Sequence, residues 1–86
     1  MPVISRFFGI VITIYWNDHS PPHFHAKYSG DEAVLDMNTG AVIKGAFSKR
    51  SLALVEEWRQ LHRDELNQNW ELARQRKPLR YISPLE

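Results

Sequence analysis

His19, His23 and His25 fall within seven consecutive positions of a chain that has four histidines in all. Imidazole titrates near neutrality and is the commonest protein metal ligand. Two chemistries fit the spacing. In the first, His23 and His25 project from one face of a strand and converge on an ion. His19 joins them from the preceding loop, and Asp18 serves as a fourth ligand or as its support. Three ring nitrogens plus water is the usual pattern of a catalytic zinc site, and imidazole also suits nickel and iron. In the second, His23 and His25 act as base and acid in cleaving RNA through its 2′-hydroxyl, with no metal. Each such role contributes roughly 10²–10⁴-fold. Arg6 or Lys27 then holds the phosphate, and Lys27 shares the face of the two histidines. Against both stands a plain reading, in which the histidines are ordinary strand residues and Asp18 only bonds turn backbone.

The elements that must position these residues follow from hydrophobic periodicity. Residues 6–17 alternate, with Phe8, Ile10, Ile12, Ile14 and Trp16 on one face and Phe7, Gly9, Val11, Thr13 and Tyr15 on the other. This predicts a single central strand. Residues 18–22 form a loop stiffened by Pro21-Pro22. A second strand follows over 23–28, with Phe24, Ala26 and Tyr28 opposite His23, His25 and Lys27. A turn at 29–31, a third strand over 32–37, a turn at 38–40 and a fourth strand over 41–47 complete the sheet.

The period then changes. Ser48 is an N-cap for a helical stretch reaching about residue 76. Leu52, Val55, His62, Leu66, Trp70 and Ala73 form its apolar stripe, with Trp58 on the flank. Such a length predicts a break near 62–64, with Asp64 capping the second segment. Pro78 ends the helix, and the apolar tail 79–85 docks on the domain or on a partner. The expected class is α+β: a four-stranded antiparallel meander followed by a long or kinked C-terminal helix, ββββα or ββββαα.

With 86 residues and 43% hydrophobic content, the chain suits one domain over 1–86. So small a domain buries only about 60–65% of its unfolded surface, which favours a small protein partner or a homo-oligomer. There is no cysteine, which removes disulfide scaffolds, cysteine-based zinc fingers and thiol catalysis and fits a reducing cytoplasm. No apolar run is long enough to span a bilayer, and the N-terminus has no signal-peptide pattern. Net charge is +1, so nucleic-acid binding has weak electrostatic support. Arg74, Arg76, Lys77 and Arg80 cluster, as cations at a helix C-terminus do, with a phosphate-contacting patch as the alternative reading. The start Met1-Pro2 is similar to that of tautomerases with a proline base, but their first strand leads into a helix, and here a loop and another strand follow.

Three segments together resemble a known family. They are Ile4-Ser5-Arg6-Phe7-Phe8-Gly9-Ile10, then Asn17-Asp18-His19 with Pro21-Pro22-His23-Phe24-His25-Ala26, then Leu61-His62-Arg63-Asp64-Glu65-Leu66 with Asn69-Trp70. The pattern is similar to the small bacterial family catalogued as domain of unknown function 4160. The resemblance implies a stand-alone bacterial protein of about this length and transfers no activity. Members are often encoded beside domain of unknown function 2442, an arrangement that resembles toxin–antitoxin pairs and implies a protein partner. The leading expectation is therefore the effector half of such a pair, with the histidines as its site. The alternatives are a metal-dependent hydrolase or metal-binding protein using the same residues, and an interaction module without catalysis.

Overall fold

A computed structural model describes residues 3–16 and 19–86. Five strands come first: β1 (Val3–Phe7), β2 (Ile10–Thr13), β3 (His23–Tyr28), β4 (Asp31–Asp36) and β5 (Val42–Gly45). Two helices follow, α1 (Lys49–Leu61) and α2 (Arg63–Arg74). The strands form one antiparallel meander in the order β1-β2-β3-β4-β5. The class is α+β as expected, with five strands rather than four.

The additional strand comes from the stretch 6–17, which is a hairpin rather than one strand. Phe7 pairs with Ile10 across a two-residue turn at Phe8-Gly9. Both turn residues have positive φ, 50° and 82°. This is the backbone of a type I′ turn, whose twist matches that of the flanking strands. Glycine tolerates it at Gly9, while Phe8 is held there with its ring exposed. The turn also changes the facing. Phe8 and Trp16 point to solvent, whereas Phe7 joins Ile10, Ile12 and Ile14 in the core. Ser29-Gly30 makes the same kind of turn between Tyr28 and Asp31.

The core lies between one face of the sheet and the helices. Ile4, Ile12, Phe24, Ala26, Leu35 and Met37 meet Val55, Trp58, Leu66 and Ala73 there. Trp58 is central rather than flanking: it is fully buried, with ring centroids 5.4 Å from Phe7 and 6.0 Å from Phe24. Ser48 caps α1, its hydroxyl accepting the Ser51 N–H at 3.1 Å. The break falls at His62, which ends α1 and begins α2. Asp64 does not cap α2; it sits inside the first turn beside Glu65, where a carboxylate favours the helix dipole. Leu52, expected on the apolar stripe, is only half-buried, and His62 is half-buried as a stripe histidine would be.

The tail docks on the domain. Asn69 donates from Nδ2 to the Arg80 carbonyl (2.8 Å) and accepts the Arg80 N–H at Oδ1 (2.9 Å). Trp58 Nε1 donates to the Ser83 carbonyl at 2.9 Å. Ile82 donates its N–H to the Ile4 carbonyl at 2.7 Å, so the tail runs along the outer edge of β1, and Ile82 and Leu85 complete the core. No helix among the described residues is long and apolar enough to cross a membrane.

Candidate functional site

Alternation along the strands sends one set of side chains into the core and the other to the face away from the helices. On that open face the register aligns residues in rows. Arg6, Val11, Lys27 and Glu32 form one row across β1 to β4. Thr13, His25, Val34 and Lys44 form the next, across β2 to β5. His23 and Asp36 pair beyond it. The expected facing of His23, His25 and Lys27 therefore holds, since Phe24 and Ala26 between them are fully buried.

His25 is at the centre. Its Nδ1 lies 3.1 Å from Glu32 Oε2. A carboxylate accepting the Nδ1 proton orients the ring and leaves the lone pair of the neutral imidazole at Nε2. Tyr15 packs edge-on against the same ring, centroids 4.4 Å apart at 82°. His23 stands 5.5 Å from His25, ring to ring. Its Nδ1 lies 2.7 Å from the Pro21 carbonyl, a proton acceptor, which sets the same tautomer. The proline loop thus anchors a histidine as well as stiffening the chain. Trp70 of α2 reaches the His23 ring at 5.1 Å, so the helical layer closes this end of the row.

The charged neighbours are arranged around this pair. Lys27 Nζ lies 6.0 Å from the Tyr15 ring centroid, and Lys27 faces Glu32 across the strand pair; the Tyr15 hydroxyl first, then the Glu32 carboxylate, raise its pKa above the ordinary lysine value. Asp36 is engaged by turn backbone. Its Oδ1 accepts the N–H groups of Asn38 (2.8 Å) and Thr39 (3.0 Å), and these bonds, with Arg59 nearby, lower its pKa. Arg59 is buried and donates from Nη1 to the carbonyls of Met37 (3.0 Å) and Asn38 (3.2 Å) while pairing with Glu56. It ties α1 to the turn after β4 and so fixes the far end of the histidine row.

The expected residues divide accordingly. His23, His25 and Lys27 come together on one face. Arg6 shares that face two strands further out, in the row of Lys27 with Val11 between them. His19 is exposed in the loop before β3. Among the described residues no group of three His, Asp or Glu side chains is placed to hold a metal ion. His19, His23 and His25 therefore form no such group among the described residues. Asp18, the expected fourth member, and Pro2 lie outside the described residues. His62 is separate: it bonds Glu65 at 2.6 Å and packs on Trp58.

Three participants were not apparent from motif reading. Glu32 is seven residues from His25 in sequence, and the hairpin folds it back beside the ring. Tyr15 counted as an alternating strand residue. Thr13 is buried in register with His25, and its hydroxyl has no hydrogen-bond partner among the described residues. The pairing of 23–28 with 31–36 through a two-residue turn would have predicted the first, since it places residues 27 and 32 opposite one another.

A meander with a histidine–carboxylate pair on its uncovered face and two helices behind it describes the class of molecule. A family model described as Domain of unknown function (DUF4160) matches residues 9–71, and the chain belongs to that family. The match spans β2 through most of α2, including all of the histidine segment. No curated protein and no solved structure matches the chain.

Proposed function

We propose that the open face is an acid–base site acting on RNA, and that the protein is the effector half of a toxin–antitoxin-like pair. One observation carries this reading: His25 is oriented by Glu32 while a second histidine stands beside it on the same face. His25 takes the 2′-hydroxyl proton at Nε2, and Glu32 positions its ring and stabilises the imidazolium that forms. His23, acting in its doubly protonated form, gives its Nε2 proton to the leaving 5′-oxygen, so the step ends with His25 protonated and His23 neutral. Lys27 and Arg6, in one row, hold the phosphate. The bond formed is from O2′ to phosphorus and the bond broken is from phosphorus to O5′, which leaves a 2′,3′-cyclic phosphate. Expression without a neighbouring gene should arrest growth and degrade RNA, and His25→Ala should abolish both. Unchanged growth with intact RNA contradicts the reading.

A second reading has its own observation. Both Nδ1 atoms meet acceptors, a carbonyl for His23 and a carboxylate for His25. Metal-binding histidines are commonly oriented in this way. Zinc, nickel or iron held by His23 and His25, with a further ligand such as Asp18, would use the same two Nε2 atoms. Raised melting temperature on adding one of these ions, lost in His23→Ala, supports it; an unchanged melting temperature with all three contradicts it.

A further inference from the structure

The two edges of the sheet are treated differently. The outer edge of β1 is covered by the tail, through the Ile82–Ile4 backbone bond and the Tyr81 hydroxyl that accepts the Arg6 N–H. The outer edge of β5 has no neighbour among the described residues. All four β5 residues are exposed, and Val42 and Ile43 hold 42% and 49% of their surface open. An unpaired edge with exposed apolar side chains is a template for a further strand. A recess of about 240 Å³ adjoins it, lined by His25, Glu32, Val34, Lys44 and Gly45.

Charge indicates what enters the recess. Glu32 is engaged by His25 and lies near Lys27. Lys44 faces the same recess from β5 and forms no ion pair among the described residues. We infer that β5 is the docking edge for an extended segment of a partner protein, pairing antiparallel or parallel to Val42–Gly45 and placing an acidic side chain on Lys44 above His25. Apolar side chains of the segment cover Val42 and Ile43. Such a segment closes the recess over His25, so binding masks the face. The masking matters to function through the acid–base reading; the docking does not depend on it.

A capped heptapeptide, Thr-Val-Thr-Glu-Thr-Val-Thr, is a direct probe, with a Lys-for-Glu version as its control. Titration into the isotope-labelled protein should shift the amide signals of residues 42–45 together with those of Val34 and His25. The lysine peptide should bind at least tenfold more weakly. Lys44→Glu should reverse the preference, with amide signals of α1 and α2 unchanged to confirm the fold. Equal binding of both peptides, shifts confined to other surfaces, or no shift at millimolar peptide would overturn the inference. So would concentration-dependent self-association through β5, which would make a second copy the occupant. None of these results depends on RNA cleavage, so the two proposals fail separately.

Discussion

Single residues carry the electrostatics of this molecule, and Asp36 is the clearest case. Backbone N–H groups of Thr39 and Asn38 and the nearby Arg59 favour its ionised form and lower its pKa below the ordinary value of 3.8. Glu56 is lowered likewise, first by its bond to Arg59. A carboxyl depressed in the folded state contributes stability above its unfolded pKa, and loses that contribution as pH falls through the folded one. Stability should therefore decline below about pH 4. Asp36→Asn should make that decline shallower while lowering stability at pH 7. Denaturant titrations between pH 2 and pH 7 check both signs, and an unchanged acid limb would count against this role. At the same scale, the shared face of His23, His25 and Lys27 was legible from residue type and period, whereas Arg6 was a candidate by residue type alone and reaches that face only through the first hairpin. Glu32 was not, because its place beside His25 depends on a hairpin register rather than on sequence proximity.

Elements decide which residues share a face. Most of the meander was legible in the sequence: β3 matches its expected span, and the turns before and after β4 fall where glycine and short polar residues cluster. The first hairpin was hidden because Phe8 replaces the usual asparagine of a type I′ turn and the apolar alternation continues through it. Only Gly9 marked the break. A side chain at Gly9 would have φ near +82° and would press on the Tyr28 ring, 2.9 Å from its Cε1. Gly9→Val should cost roughly 1–3 kcal/mol, since a branched residue is strained in that region. Thermal or denaturant unfolding measures it, and a cost near zero would mean that the turn reshapes freely. The helix break was readable from length, but its geometry was not. His62 serves both helices with no side-chain cap on α2, and its ring is held by Glu65 instead.

For the whole molecule, the tail is the structural closure. It covers one sheet edge, adds Ile82 and Leu85 to the core, and hangs on Asn69. Asn69→Ala removes both bonds and leaves the Arg80 backbone groups to find water. The expected loss is about 1–3 kcal/mol, accompanied by faster tryptic cleavage at Arg80; cleavage at the wild-type rate would show that the tail is held by packing alone. The tail's apolar character was visible in sequence, but its binding site was not, because an amide that grips backbone eleven residues later has no periodic pattern. With one edge closed by this tail and the other open, the sheet turns the face that carries the His25–Glu32 pair away from the helices. That face is tested most directly by incubating purified protein with an RNA oligonucleotide and its 2′-deoxy counterpart and identifying the product ends. The account predicts 2′,3′-cyclic phosphate ends from the RNA alone, with the rate reduced about 100-fold or more in His25→Ala; an intact RNA oligonucleotide, or equal cleavage of both, would contradict it.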